Sequence, residues 1–175
     1  MRARYPRRPR PPLDETALKE LGLSYVARFA TSRAKLADYL RRKLRERGWA
    51  GSGDPPVADI VAWAAQAGFI DDPAYALSRA RSLGARGYGE RRVAMELRSA
   101  GIEEDDGAAA RDHSRETAEE AALRFARRKR VGPYATTPPD RKESDKALAA
   151  MLRAGHAFDL ARRILSLPTD FDSQA

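Results

Sequence analysis

The chain has no cysteine and few groups suited to covalent or redox chemistry. That absence removes disulfide scaffolds, thiolate metal sites and cysteine nucleophiles together. Only two histidines are present, His113 and His156. Neither has a second ligand at helical spacing, so no zinc site and no cofactor are expected. No apolar run approaches the roughly 20 residues that cross a membrane. The opening Met1-Arg2-Ala3-Arg4-Tyr5-Pro6 lacks the apolar stretch of a secretory signal. A cytoplasmic protein is expected by elimination. Aromatic residues amount to 7%, and no segment alternates apolar and polar residues in the manner of a strand.

What the chain does have is positive charge. A formal net charge of +8 over 175 residues favours polyanions or acidic protein surfaces as partners. The charge is unevenly spread. Residues 1–12 contain five arginines, four prolines and no acid, the composition of an extended arm without a core. From Arg28 to Arg47 there are eight basic residues against Asp38 and Glu46. Residues 103–120 hold eight acids before Arg124, Arg127, Arg128, Lys129 and Arg130 restore the sign.

One phrase occurs three times at intervals of about fifty residues. A helical run ends in Leu44-Arg45-Glu46-Arg47-Gly48, in Leu97-Arg98-Ser99-Ala100-Gly101 and in Met151-Leu152-Arg153-Ala154-Gly155. Apolar residues four apart share a helix face, and a glycine just beyond takes the left-handed conformation that closes a helix. Such recurrence predicts tandem helical modules rather than one enzymatic core.

The remaining signals place helices almost throughout. Asp14 starts one over about 15–30, including Val26 and Phe29. Ser32 caps the next, with Leu36, Leu40 and Leu44 on one stripe. Asp54-Pro55 and Asp72-Pro73 mark two further starts, since proline in the first turn loses no hydrogen bond. Gly87-Tyr88-Gly89 breaks the chain before a helix at 90–100. The stretch 103–130 reads as helix interrupted near Gly107 or His113. Pro133, Pro138 and Pro139 exclude continuous helix, and two last helices follow at about 140–154 and 157–166. The expected fold is all-α: three tandem three-helix modules stacked into an elongated, curved, right-handed array. The expected boundaries are an arm at 1–13, modules at 14–68, 69–113 and 114–166 with a linker at 131–139, and a frayed tail at 167–175. Stacked modules should exceed the roughly 16 Å radius of gyration of a compact globule this long, a value scattering can check.

The run Gly68-Phe69-Ile70-Asp71-Asp72-Pro73-Ala74-Tyr75-Ala76, followed by Gly87-Tyr88-Gly89-Glu90-Arg91-Arg92-Val93, resembles the central signature of the RecX family. Ser32-Arg33-Ala34 with Leu36, Leu40, Leu44 and Gly48 is similar to that family's first module, and Gly155-His156-Ala157-Phe158-Asp159 with Ile164-Leu165 to its closing helix pair. The likeness covers about residues 18–166. Lys35 stands where an acid is expected, and the arm at 1–12 is this chain's own. The resemblance implies a regulator that binds the RecA recombinase filament on single-stranded DNA, along its helical groove. It implies that ATP hydrolysis, strand exchange and repressor co-cleavage are depressed. No nucleophile–base pair, metal cluster or nucleotide loop emerges from the residues, so no enzyme is expected, and a monomer is expected.

Candidate partner contacts are the basic residues that recur on equivalent helices: Arg33, Arg41, Arg42 and Lys43 in the first module, and Arg91, Arg92 and Arg98 in the second, with Arg79 and Arg86 flanking. Gly48, Gly68, Gly87 and Gly101 are read as helix stops. Phe69, Ile70 and Tyr75 are read as core, and Asp71 and Asp72 as helix-start residues rather than a metal pair. Gly87-x-Gly89 lacks the strand and the lysine-serine pair of a phosphate loop. Asp38 and Glu46 lie among arginines and read as exposed pairs, not a nuclease site. Trp49 and Trp63 read as packing rather than base stacking. The other class kept open is a DNA-binding helical module with weak phosphate contacts.

Overall fold

Capping residues set the first two helices where the sequence places them. Asp14 accepts the Ala17 amide at 2.8 Å and Ser32 accepts that of Lys35 at 3.2 Å, which starts α1 (Glu15–Val26) and α2 (Arg33–Arg47). Each such bond satisfies an amide that has no partner within the helix. The computed structural model describes residues 10–169. Among them the regular structure is helical, apart from one isolated parallel bridge between Leu13 and Trp49. The chain divides into two compact units between Asp71 and Asp72.

The first unit packs α1, α2 and α3 (Val57–Gln66) around Leu18, Leu36, Leu40, Val57, Ile60, Val61 and Ala64. Leu18, Leu36 and Leu40 are wholly buried, each worth roughly 1.5–3 kcal/mol relative to exposure. Leu13, counted with the arm on sequence grounds, is also wholly buried in this core. Its amide donates to the Gly48 carbonyl at 3.0 Å and its carbonyl accepts from Ala50 at 2.8 Å. The arm's Arg2, Arg4, Arg7 and Arg8 lie outside the described residues. α1 ends at Val26, so Phe29 falls beyond it and is 57% exposed. Pro56, not Asp54, is the N-cap of α3 and makes no side-chain capping bond, because two successive prolines delay the turn. Phe69 is half exposed against the expectation of core, while Ile70 next to it is buried in the first unit.

The second unit holds α4 (Asp72–Ala85), α5 (Glu90–Ser99), α6 (Ala108–Glu116), α7 (Ala118–Lys129), a 3-10 turn at Gly132–Tyr134, α8 (Arg141–Arg153) and α9 (Phe158–Leu165). The break in the acidic stretch falls at Thr117, between α6 and α7, and α6 runs across the expected boundary at 113. Two hydrophobic clusters form here. One joins Ala76, Ala80, Leu83, Val93, Leu97 and Ala110; the other joins Ala122, Phe125, Ala126, Met151, Ala161 and Ile164. Tyr88 packs against both. Leu167, assigned to the frayed tail, packs on the second cluster. Asp140 and Glu143 form a reciprocal capping box that starts α8.

Candidate partner-binding surfaces

In the first unit the basic run of α2 lies beside an aromatic ladder. Tyr25 stacks on Tyr39 with ring centroids 4.2 Å apart, and Phe29 tilts against Tyr25 at 5.4 Å. Arg42 and Lys43 stand 5.5 and 5.8 Å from the Tyr39 ring centroid, within cation–π range. Their charges are shared with Glu46, 3.7 Å from Arg42 and 2.5 Å from Lys43. The Lys43 hydrogen bond holds the Glu46 carboxyl below its ordinary range. Arg41 pairs with Asp38 at 3.3 Å in full view of solvent, and such pairs contribute little. Arg33 is exposed at the start of α2. Trp49 and Trp63 pack against the core as expected, with Lys19 over Trp63 at 4.3 Å.

In the second unit three guanidiniums surround one ring. Arg86, Arg92 and Arg128 lie 5.3, 5.8 and 5.8 Å from the centroid of Tyr88. The geometry follows from α7. Arg124 and Arg128 are four residues apart and reach the end of α4, where Arg124 donates to the Gly84 carbonyl at 3.5 Å and Arg128 to that of Arg86. These carbonyls lie at a helix C-terminus, where cations are favoured. In the sequence Arg124 and Arg128 register only as charge; their four-residue spacing is the signal that sets them on one helix face.

Of the sequence candidates on this unit, Arg86, Arg91 and Arg98 are exposed and have no acidic partner among the described residues. Arg92 is half-buried, with its Nε enclosed and unbonded. Arg79 is engaged internally: its Nη2 donates to Glu96 at 2.6 Å and ties α4 to α5. Asp72 is buried as the first residue of α4 and Asp71 before it is exposed. Tyr75 is buried. Gly48, Gly68, Gly87 and Gly101 all have positive φ, at 83°, 77°, 77° and 64°, as helix-closing residues should.

His156 follows a helix-stop glycine and on sequence grounds is a turn residue. It is 1% exposed, edge-on to Phe125 at 5.5 Å, with Nε2 3.2 Å from the Gly87 carbonyl. Burial pushes its pKa down; the Gly87 bond opposes that and the Arg128 charge adds to it. Among the described residues there is no cluster of three metal-ligating side chains, and no helix long and apolar enough to cross a membrane.

Among the described residues the two helical units place the protein in the all-α class. Comparison with known proteins gives the family. A family model described as RecX, second three-helix domain, matches residues 71–110. A Regulatory protein RecX from Myxococcus xanthus is 35% identical over 170 residues, covering 93% of this chain and 90% of that protein. Another from Agrobacterium fabrum is 29% identical over 140 residues, covering 78% and 74%. The crystal structure of RecX from Lactobacillus salivarius superposes with a TM-score of 0.68 at 18% identity, covering 90% of this chain and 96% of that one. A second RecX crystal structure gives 0.63 at 22%, covering 86% and 70%. The chain belongs to the RecX family.

Proposed function

We propose that this protein regulates the RecA recombinase by binding its filament on single-stranded DNA in the cytoplasm. In this reading it lodges along the filament's helical groove as a monomer and depresses ATP hydrolysis, strand exchange and repressor co-cleavage. Its body comprises three modules, α1–α3, α4–α6 and α7–α9, each meeting successive filament subunits. Several modest contacts then add through effective concentration, and bridged subunits resist the rearrangements of turnover. The observation that carries the reading is the 35% identity to a Regulatory protein RecX over nearly the whole chain. Arg86, Arg91 and Arg98, exposed and without acids, supply charge for an acidic partner surface. Titrating the protein into a single-strand-dependent RecA ATPase assay tests it. A fall in rate at near one copy per recombinase subunit supports groove occupancy; an unchanged rate with folded protein removes the reading.

A second reading, direct binding of single-stranded DNA, is favoured by the Phe29–Tyr25–Tyr39 ladder beside Arg42 and Lys43. Phe29 is exposed at the end of a ladder whose Tyr25 and Tyr39 are half-buried against the core. One open ring thus suits base stacking, with Arg42 and Lys43 beside Tyr39 for phosphate contact. Affinity for bare DNA that falls steeply with salt and is lost in Phe29→Ala supports it. Salt-insensitive or absent binding removes it.

A further inference from the structure

A cleft of about 740 Å³ opens in the second unit between the end of α7, the connection at 132–139, α8 and α9. Phe125, Val131, Leu148 and Leu165 give it apolar walls. Lys129, Arg130, Lys146 and Arg162 line it with charge, against Glu143 and Asp145. Glu143 is already committed, since it accepts from the Asp140 amide at 3.0 Å in the capping box. Lys129, Arg130 and Lys146 have no acidic partner among the described residues. Arg130 closes α7 in the left-handed region, φ 53°, a conformation costly for a side chain other than glycine. The cleft is therefore apolar within and cationic at its edge.

The chain's own continuation has the complementary pattern. Leu165 and Ser166 form part of the cleft wall, and Leu167 is still held against the core beneath it. The sequence then runs Thr169-Asp170-Phe171-Asp172, an aromatic residue between two carboxylates. Phe171 follows Ser166 by five residues, a span of at most about 17 Å. Residues 170–175 lie outside those described.

We propose that this cleft is the docking site of the segment Asp170-Phe171-Asp172. Phe171 fills the apolar space against Val131, Leu148 and Leu165, and the two carboxylates meet Lys129, Arg130 and Lys146. A tether this short gives an effective concentration in the millimolar range, so a contact that is weak between separate molecules suffices. The covalent link selects this occupant over a free acidic peptide of similar sequence.

Amide spectra of the 15N-labelled 175-residue chain test the assignment when compared with a chain ending at Thr169 and with Phe171→Ala. Circular dichroism first checks that both variants keep the helical signal. Docking requires shifts at Val131, Ala147, Leu148 and Ala150 in both variants, with the α1–α3 signals unmoved. It also requires a peptide of residues 168–175 to restore the original positions when added to the shortened chain, and high salt to weaken that restoration. Lys146→Glu should produce the same pattern as Phe171→Ala. Cleft signals that stay in place when the tail is removed, or that move on truncation but not in Phe171→Ala, overturn the proposal.

Discussion

The Nε2 of His156 lies 3.2 Å from the carbonyl oxygen of Gly87, joining the turn before α9 to the turn before α5. The bond requires a proton on Nε2, since a carbonyl can only accept. The other ring nitrogen, Nδ1, is enclosed without a partner, which suits an unprotonated nitrogen and not an N–H. Around the pair the two backbones touch. Gly89 donates to the Ala154 carbonyl at 3.0 Å, and Arg91 to that of Gly155 at 3.1 Å. The Gly87–Gly89 turn thus meets the third glycine phrase at its closing Gly155.

Acid should loosen this joint. Burial depresses the folded pKa of His156, with the Gly87 bond opposing it and Arg128 reinforcing it. The unfolded chain takes up the proton near the ordinary value of about 6.5, while the folded chain resists it. Stability from neutral His156 is therefore complete above that pH and declines as pH falls through the window below it. The slope approaches at most about 1.4 kcal/mol per pH unit from this one group. Urea midpoints measured from pH 7.5 to 5.5 should fall on acidification. In His156→Gln the slope over that range should flatten, whatever the variant's absolute stability.

Two glycines with different surroundings should respond differently to alanine. A Cβ at Gly89 would sit 2.5 Å from the carbonyl carbon and oxygen of Gly155 and 2.6 Å from the His156 nitrogen, all backbone atoms. A Cβ at Gly68 meets nothing within 4 Å, so only its φ of 77° resists substitution. Gly68→Ala should cost roughly 1–2 kcal/mol. Gly89→Ala should cost about 3 kcal/mol or more, because backbone cannot step aside as a side chain can. Denaturant midpoints rank the pair, and hydrogen exchange in Gly89→Ala should speed up around 87–92 and 154–156 while the first unit stays protected.

The contrast marks what periodicity can carry. Stripes such as Leu36–Leu40–Leu44, the Asp14 and Ser32 caps and the glycine stops are local, so the helices were legible. The Gly87–Gly89–Gly155 apposition depends on residues more than sixty positions apart, and no local rule reports it. The same holds for Leu13, whose burial depends on Gly48 and Ala50. It holds too for Arg79, which looked like a surface cation until α5 brought Glu96 to it. Phe69 misled in the opposite direction: an apolar residue after a helix stop reads as core, yet Ile70 takes the inward position and Phe69 tilts against Trp63 at 5.7 Å.

Gly22 offers a gain. It is buried within α1, and a Cβ there would touch the Ile60 Cγ2 methyl at 3.4 Å and a Leu40 methyl at 3.8 Å, close to ordinary van der Waals contact with side-chain atoms. Glycine in a helix interior costs up to about 1 kcal/mol relative to alanine. Gly22→Ala should therefore raise stability by roughly 0.5–1 kcal/mol, read as a higher melting temperature with unchanged helical content. A loss would mean that Ile60 cannot yield the last tenths of an ångström.

The basic residues divide by what they already hold, and charge reversal exposes the division. Arg91 and Arg98 are exposed on α5 with no acidic partner among the described residues, so Arg91→Glu with Arg98→Glu should leave the denaturant midpoint within about 0.5 kcal/mol. Arg79→Glu places a carboxylate against Glu96, where a 2.6 Å bond joined α4 to α5. It should cost roughly 1–2 kcal/mol after allowing for partial exposure of both side chains. Inhibition of the recombinase ATPase should move the other way. The Arg91/Arg98 reversal should raise the half-inhibitory concentration by about tenfold, chiefly through slower association. At temperatures where it stays folded, Arg79→Glu should inhibit nearly as the parent does. Equal inhibition by the parent and the Arg91/Arg98 variant would place the partner surface elsewhere on the chain, with the Tyr88 arginines the next to reverse.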